Sequence, residues 1–468
     1  MPATADTADT AVRRVPARLV VPLVLGTLLN ALNSSMIAVA LVAIGDEFHA
    51  GAEVVWLVSG LYLATAVGQP MMGRLADQFG PRRVFIAGLF IVMVAATLAP
   101  FAPGLGWLVA ARVLLGIGTS AGYPAGVALI RRWADEVGDA NPMGGLSAIS
   151  AAGQSAVAFG PPLGGVLILL LGWRSIFWVN LPVAIASLVL VLLWVRPDGP
   201  VERASARDRI RQLDLPGSLL FVASLTALLL ALLTANWWLL AATVLGAVGL
   251  IWWELRASTP FIDVRMLVAN RALSRTYLRQ AVTYVLFYSV FFGLPNWLER
   301  GRGLTSAQSG LVVLPVAGVG VLTTVIAARL IRTLGVRPVL AIGSGALLVG
   351  SAALLLVHSH TELVVLVLIA AVLGIPNGFN GLGNQSAMYA VAPTSVIGVA
   401  SGLLRTAQYV GANMASALLG LTIGAKADDA GLHELAMIMG VLSVGLLAFA
   451  LVALRRGGRV TESVGGGR

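Results

Sequence analysis

The chain has 468 residues, of which 58% are hydrophobic and only 11% carry a charge. Soluble domains have about 25% charged residues, so this composition argues against a water-soluble enzyme. The absence of cysteine excludes disulfides, thiol catalysis and cysteine metal sites. A net charge of +10 suits either nucleic acid or an anionic membrane face, and the positions of the charges must decide between them.

Fourteen apolar segments follow one another along the chain, each close to the length of about 20 residues that crosses a bilayer. We predict a membrane-spanning helix in each of the ranges 18–44, 54–73, 83–101, 105–130, 143–171, 174–195, 215–235, 237–255, 272–298, 305–331, 336–357, 361–390, 397–424 and 433–454. The first segment is too long for a signal-peptide core and no cleavage site follows it, so we expect it to be retained.

The basic residues divide unequally between the two sets of loops. Most arginines fall in the termini and in the loops on the same side as the termini, whereas the opposite loops carry only Arg174, Arg300, Arg302 and Lys426. By the positive-inside rule, both termini are then cytoplasmic. No basic stretch is interleaved with aromatic residues, so we expect a multi-pass protein of the cell membrane and no nucleic-acid partner.

The loops after the second and the tenth predicted helices are similar. Residues 73–83 and 328–338 share Arg, Leu, Gly and Arg at the same offsets, with Arg332 in the place of Asp77. We therefore expect helices 1–6 to recur as helices 9–14. The predicted division is a six-helix bundle at 14–196, a cytoplasmic linker at 197–212, an inserted helix pair at 213–257, a loop and second bundle at 258–456, and a disordered tail at 457–468. Two such halves around a midplane cavity are typical of secondary transporters.

Five short motifs occur at the expected helices. They are the loop 73–83, the helix-4 segment 108–118, the helix-5 segment Gly160-Pro161-Pro162-Leu163-Gly164-Gly165, and the segments 173–182 and 213–217. In this order they resemble the major facilitator superfamily, specifically its fourteen-helix drug:proton antiporter branch. Leu115 stands where that family usually has glutamine. The resemblance implies an all-α integral membrane fold with two six-helix bundles and an inserted helix pair.

The resemblance also implies roles for three groups of residues. Asp77 would bind the N-terminus of the helix that begins near residues 394–398, where an anion is stabilised by about 0.3–1 kcal/mol. The implied groups are a conformational latch at Gly73, Asp77, Gly80, Arg82 and Arg83, proton coupling at Arg112 and Gly116, and the helix-5 antiporter motif at Gly160, Pro161, Gly164 and Gly165.

All acidic residues of the sequence fall near the ends of the predicted helices, which leaves no carboxylate at mid-membrane. Asn33 stands where relatives have an aspartate, and asparagine cannot titrate. Two arginines, Arg112 and Arg405, would then give the cavity a positive field, whereas Arg279 is expected to snorkel toward the cytoplasm. The predicted cavity residues are Asn30, Asn33, Gln154, Tyr284, Tyr288, Asn377, Asn380, Asn384, Arg405 and Gln408. The amides alternatively serve as interhelical hydrogen-bond contacts.

These features predict a monomeric, proton-coupled exporter of amphipathic drugs, antibiotics or metabolites, with neutral or anionic compounds favoured. We expect no enzymatic activity, catalytic residue, cofactor or metal, since the four histidines lie in loops without ligand spacing. One alternative is an uncoupled, anion-coupled or lipid-moving transporter of the same fold. Another is a membrane sensor or scaffold, although no loop is long enough to hold a signalling domain.

Overall fold

The computed structural model describes residues 13–50, 52–138, 140–199, 214–234, 236–423 and 427–465. Most of the predicted linker at 197–212 and the last three residues of the predicted tail lie outside this part of the chain, as does Lys426. Nearly everything described is helical. Two strands of two residues each, β1 (Arg13–Arg14) and β2 (Ala140–Asn141), pair in parallel beside the helices.

The first half of the chain forms helices close to the predicted segments. They are α1 (Ala17–Glu47), α2 (Trp56–Phe79), α3 (Pro81–Leu98), α4 (Leu105–Thr119), α5 (Gly122–Val137), α6 (Met143–Leu171), α7 (Ser175–Trp178) and α8 (Asn180–Trp194). The predicted fourth segment is divided, because the helix is interrupted between α4 and α5 at Ser120 and Ala121.

The remaining helices follow after residue 213. They are α9 (Leu215–Thr234), α10 (Trp237–Glu254), α11 (Val264–Ala269), α12 (Arg271–Asn296), α13 (Ser306–Leu334), α14 (Val336–Leu354), α15 (Leu363–Val391), α16 (Ile397–Thr422) and α17 (Asp429–Gly465). Short turns of tighter or wider helix occupy Ala52–Val55, Ala99–Phe101, Trp297–Gly301 and Thr394–Val396.

Eleven helical segments of the described chain are long and apolar enough to cross a membrane, with α4–α5 and α7–α8 each counted as one. The long helices α2, α6 and α16 correspond to the other three predicted segments but are not among these eleven. The structure therefore has a multi-pass helical membrane fold.

The repeated loop motif adopts the same backbone conformation in both halves. Gly80 separates α2 from α3 with a φ of +100°, and Gly335 separates α13 from α14 with a φ of +83°. This left-handed region is readily available to glycine and costly for other residues. The matching glycines thus have a physical role, which is to reverse the chain between consecutive helices.

The helix contacts also recur between the two halves. In the first half α1 packs on α6 and α2 on α4, and in the second half α12 packs on α16 and α13 on α15. Across the halves, α2 packs on α16 and α6 packs on α13. When the first bundle (α1–α8) is superposed on the second (α12–α17), α2 corresponds to α13 and α6 to α16. The α2–α16 contact is then equivalent to the α6–α13 contact, which is the relation expected of an internal repeat.

The inserted pair α9–α10 sits at the boundary of the two halves. α9 packs against both α2 and α16. A small apolar cluster that includes Phe221 and Leu225 of α9 joins it to Ala66 of α2 and Tyr409 of α16. The pair therefore lies beside one of the two surfaces along which the halves meet.

Helix α17 continues to Gly465, which is beyond residue 457, where the predicted tail begins. Extending an existing helix fixes one residue for each added hydrogen bond, whereas starting a new helix is costly. The polar composition of the tail gave no indication of this continuation.

A close helix crossing at Gly378 offers a test of the packing between α13 and α15. A methyl group at Gly378 would collide with the Thr323 side chain and the Thr324 backbone, whereas no heavy atom lies within 4 Å of a methyl group at Gly318. We expect Gly378→Ala to lower the free energy of unfolding by roughly 1–3 kcal/mol through overpacking. The matched variant Gly318→Ala should stay at or above wild type. Thermal unfolding in detergent measures both, and equal melting temperatures would contradict the close crossing.

Candidate functional site

A central cavity of about 170 Å³ lies between the two halves. Helices of both halves line it, with the largest contributions from α1, α12, α15 and α16. The lining residues that bear on the argument are Asn30, Ser34, Tyr62, Tyr123, Gln280, Tyr284, Phe287, Tyr288, Phe291, Phe292, Asn377, Gln385, Arg405, Gln408 and Tyr409. The surface is thus mainly aromatic, with amide and hydroxyl groups between the rings.

Arg405 is the charged group of the described cavity lining, in which no acidic side chain is found. Its guanidinium lies 3.8 Å from the centre of the Tyr123 ring and donates a hydrogen bond of 2.9 Å to Gln408 Oε1. A cation over an aromatic face is stabilised by about 0.5–2 kcal/mol. These contacts hold the arginine in place while leaving its charge facing the cavity.

A polar chain crosses the boundary of the halves at the cavity wall. Tyr409 of α16 donates its hydroxyl to Asn30 Oδ1 of α1 at 2.8 Å, and the Asn30 amide donates to Thr119 Oγ1 of α4 at 3.0 Å. Buried amides in helical membrane proteins are stabilised by such interhelical bonds. Asn30 therefore fits both interpretations of the sequence, since it lines the cavity and links helices.

Five aromatic side chains of α12 form one face of the cavity. Tyr284, Phe287, Tyr288, Phe291 and Phe292 follow a helical spacing of three and four residues, and neighbouring rings lie 5.1–6.5 Å apart. Only the two tyrosines were predicted as cavity residues. The three phenylalanines share their periodicity, which was the signal that could have identified them.

The predicted cavity residues divide into two groups. Six of them line the cavity: Asn30, Tyr284, Tyr288, Asn377, Arg405 and Gln408. Asn33, Asn380 and Asn384 do not line it but are buried between helices, because a spacing of three or four residues also turns side chains toward neighbouring helices. The Gln154 side chain lies outside the described residues.

Arg112 is fully buried but does not line the cavity, contrary to the expected positive field from two arginines. Its Nε donates to the Leu57 carbonyl at 2.9 Å and its Nη2 to the Asn33 carbonyl at 3.1 Å. Asn33 itself exchanges amide hydrogen bonds with Asn180. Arg112 thus connects α4 to α1 and α2 through backbone carbonyls, and Gly116 one turn later lets α2 approach α4 closely.

Arg279 also differs from its expected position. It is 8% exposed and donates from Nε to Asn384 Oδ1 of α15, while the Asn384 amide donates to Gln280 Oε1 at 2.9 Å. The prediction of snorkelling is wrong because a polar partner lies within the second half. A buried arginine with such partners need not extend to the membrane surface.

Asp77 joins the two halves at one end of the helix bundle, which we call the Asp77 end. Its two carboxylate oxygens accept the backbone N–H groups of Gly398 at 2.8 Å and Val399 at 3.0 Å, in the first turn of α16. These N–H groups have no partner within the helix, and the helix dipole favours an anion there. A carboxylate of the first half is thereby held on a helix of the second half.

Small residues bring the backbones together at this contact. A Cβ at Gly73 would collide with the Gly398 carbonyl, and a Cβ at Gly402 would lie 2.6 Å from the Gln69 carbonyl. Larger side chains at these positions would separate α2 from α16 and move Asp77 away from its donors. The contact therefore depends on glycine in both halves.

The other predicted latch residues serve the first half alone. The backbone N–H groups of Arg82 and Arg83 donate to the Asp198 carboxylate at 3.3 and 2.8 Å, and Arg132 forms a salt bridge of 2.9 Å with the same group. Gly80 lies against Asp198 as well. Gly73 and Asp77 contact α16, whereas Gly80, Arg82 and Arg83 fix α3 to the end of α8.

The helix-5 antiporter motif lies at a close crossing of α6 and α1. Gly160 packs against the Ser35 side chain, and a Cβ at Gly164 would lie 3.2 Å from Met36 Cα. Gly165 faces no atom within 4 Å, and the Pro161 side chain lies outside the described residues. Glycine at two of these positions is thus required by helix packing.

Further contacts between the halves, which the sequence did not reveal, lie at the Asp77 end. Arg131 of α5 donates to Thr394 Oγ1 at 3.1 Å and lies 4.9 Å from the centre of the Tyr389 ring. Ser150 of α6 donates to Gln385 Oε1 of α15. With the Asp77 contact, these bonds join the two halves at this end.

The chain is similar to known membrane transporters over most of its length. The Major Facilitator Superfamily family model matches residues 23–416. The uncharacterized MFS-type transporter YwoD of Bacillus subtilis is 37% identical over 88% of this chain and 92% of its own length. The tetracenomycin C resistance and export protein of Streptomyces glaucescens is 27% identical over 91% of this chain and 79% of its own length.

A solved structure supports the same fold. The crystal structure of the human organic anion transporter MFSD10 (TETRAN) superposes with a TM-score of 0.67, covering 92% of this chain and all of that chain. The sequence identity is 18%, so this likeness concerns the fold alone.

The Asp77 contact generates a prediction on the opening of the cavity. Asn at position 77 keeps the size but removes the charge, so the interaction with the α16 dipole weakens by about 0.3–2 kcal/mol. We expect Asp77→Asn to raise the population open at the Asp77 end several-fold. Because the chain has no cysteine, spin labels at Gly144→Cys on α6 and Thr333→Cys on α13 report the distance between the halves.

A matched control is available at Asp198. This carboxylate also accepts helix N-terminal N–H groups, those of α3, but its partners all belong to the first half. Asp198→Asn should lower the melting temperature without changing the distance distribution. An unchanged distribution for Asp77→Asn, or an equal change for both variants, would refute the latch.

Proposed function

The chain belongs to the Major Facilitator Superfamily, and from this we propose that it is a proton-coupled exporter of amphipathic small molecules. That it is a multi-pass membrane transporter and not an enzyme follows from the family. The proposal concerns the finer points, namely the substrate, the direction of transport and the coupling ion.

The observation that supports this proposal most directly is the lining of the central cavity. Aromatic faces, amides and hydroxyls surround a space between two halves that meet at the Asp77 end. Such a surface suits apolar ligands with a few polar groups and tolerates a range of shapes. A relative at 27% identity is named for tetracenomycin C resistance and export, which agrees with transport out of the cell.

The charge of the cavity favours neutral or anionic substrates over quaternary cations. Arg405 faces the cavity and its described lining contains no carboxylate, so a cation would meet repulsion without a compensating charge. An anion would pair with the guanidinium, and hydrogen bonds to charged groups contribute about 1.5–3 kcal/mol.

We further propose fourteen membrane spans, counting α2, α6 and α16 with the eleven apolar segments. The distribution of arginine supports a cell-membrane protein with both termini in the cytoplasm, so that the Asp77 end is the cytoplasmic end. We infer that the described conformation is closed at the cytoplasmic end. In this conformation an exported compound would leave the cavity on the outer side.

The role of Arg405 can be tested by two substitutions. We expect Arg405→Gln to raise the KM for anionic compounds roughly tenfold or more, since a charged hydrogen bond is lost, and to change the KM for neutral analogues little. Arg405→Lys should retain most of the preference. Initial transport rates on paired neutral and anionic analogues provide the measurement. A wild-type preference for quaternary ammonium dyes would contradict the proposed substrate class.

Proton coupling can be tested with the purified protein in liposomes. A proton gradient equivalent to 100 mV supplies about 2.3 kcal/mol for each charge, so we expect accumulation of a transported compound only when a pH gradient is imposed. Substrate and proton fluxes should stop together on adding an uncoupler. Equilibration to equal concentrations regardless of the gradient would instead indicate an uncoupled transporter, and dependence on chloride an anion-coupled one.

A further inference from the structure

Two carboxylates are buried at the base of the inserted pair. Asp214, immediately before α9, is 5% exposed, and Glu254, the last residue of α10, is 2% exposed. Asp214 Oδ1 accepts the Trp253 indole N–H at 2.7 Å, and its Oδ2 accepts the Phe261 backbone N–H at 3.0 Å. Neither residue lines the central cavity. The inserted pair therefore has a separate site with ionisable groups.

The two carboxyl groups meet over the backbone of Gly217. A Cβ at this glycine would touch the Asp214 carboxylate and would lie 2.8 Å from Glu254 Oε1, so glycine leaves the space that both groups occupy. The backbone of Asp214 has a φ of +45°, an uncommon conformation for a residue with a side chain. Hydrogen bonds from Gly217, Trp253 and Phe261 hold it there.

One oxygen of this pair lacks a hydrogen-bond partner. Glu254 Oε1 accepts the Ile262 backbone N–H at 3.2 Å, but Oε2 is buried with no hydrogen bond. An ionised carboxylate in this environment has a large desolvation cost, and a second carboxylate beside it adds repulsion. One proton bound between the two groups leaves a single negative charge, which removes the repulsion and lowers the desolvation cost.

The pair is linked electrostatically to the contact between Asp77 and the N-terminus of α16. Arg74 of α2 lies one turn before Asp77 and interacts with Asp77, Asp214 and Glu254. One cation thus interacts with three carboxylates. One of these, Asp77, accepts hydrogen bonds from the first turn of α16. The charge on the inserted pair must affect how strongly Arg74 compensates the charge of Asp77.

The other charged groups near this site have different partners. Arg256 lies over the Trp252 ring, Arg265 donates to the Leu255 carbonyl, and Asp263 accepts the Met266 N–H at the start of α11. On α16 the nearest charged side chain along the helix, Arg405, is engaged by Tyr123 and Gln408 at the cavity. Among the described residues, Arg74 is the charged group outside the inserted segment that interacts with the pair, and it interacts with Asp77 as well.

We propose that Asp214 and Glu254 form a proton-binding site, and that the proton held there stabilises the closed Asp77 end. This inference rests on the proposed proton coupling, for which it names the titrating groups. With a proton bound, Arg74 compensates Asp77, and the carboxylate stays on the N-terminus of α16. When the proton leaves to water, the additional negative charge of the pair draws Arg74 away from Asp77, so the Asp77 carboxylate loses its compensating cation and its contact with α16 weakens.

The experiment follows the distance between the halves as a function of pH, without substrate or gradient. For the wild type, labelled at Gly144→Cys and Thr333→Cys, we expect the open fraction at the Asp77 end to rise roughly tenfold between about pH 5 and pH 8, which corresponds to a difference of about one pKa unit between the two states. Glu254→Gln retains the size of the protonated group but cannot release a proton, so it should stay closed at both pH values.

A second measurement identifies the proton itself. The infrared band of protonated carboxyl groups should decrease between these pH values in the wild type, and Glu254→Gln should remove that change. Asp263→Asn, in the same segment but bonded to α11, is the matched control and should behave as wild type in both measurements. A tenfold shift and an infrared change that persist in Glu254→Gln would overturn the proton site.

The outcome is separable from that of the proposed function. If transport depends on the pH gradient but the distance shift is the same in the wild type and in Glu254→Gln, coupling is correct and the assignment of its site is wrong. If the shift disappears in Glu254→Gln while transport ignores the gradient, the site binds a proton and proton-coupled export is wrong. Asp214→Asn provides an independent variant and should reduce the shift in the same direction.

Discussion

The contact of Asp77 with the first turn of α16 is a charged contact between the two halves in the described conformation. It joins a carboxylate of the first half to two N–H groups of the second, and it forms only because Gly73, Gly398 and Gly402 let the two backbones approach. A single contact of this kind contributes about 0.3–2 kcal/mol. That is enough to bias two conformations and small enough to be reversed by a change in local charge.

The inserted helix pair lies where it can affect this balance. α9 packs on both α2 and α16, so movement of one half against the other changes the surroundings of the pair. Its two buried carboxyl groups face Arg74, which also interacts with Asp77. An insertion between two repeated bundles is therefore in contact with the surface along which they separate, and charge at its base can act on that surface.

The cavity surface and the buried carboxylates of this protein lie in two different places. The cavity offers aromatic surface and one guanidinium for a ligand, while the carboxylates are buried at the Asp77 end. In such an arrangement ligand and proton need not compete for one group. Under the proposed coupling, they would act on each other through the relative position of α2 and α16, since both sites include residues of these helices or contact them.

The sequence by itself determined the membrane class, the extent of nearly every helix and the repeat, because apolar segments of about 20 residues and the glycine turns at Gly80 and Gly335 are local features. It also identified Asp77 and six cavity residues, since polar groups on apolar helices stand out. Only the tertiary structure decided that Arg112 connects helices instead of facing the cavity, that Arg279 has a buried partner, and that Asp214 and Glu254 are buried together. Burial depends on which helices lie side by side, and residues near helix ends appear solvent-accessible until a distant segment such as 261–262 covers them.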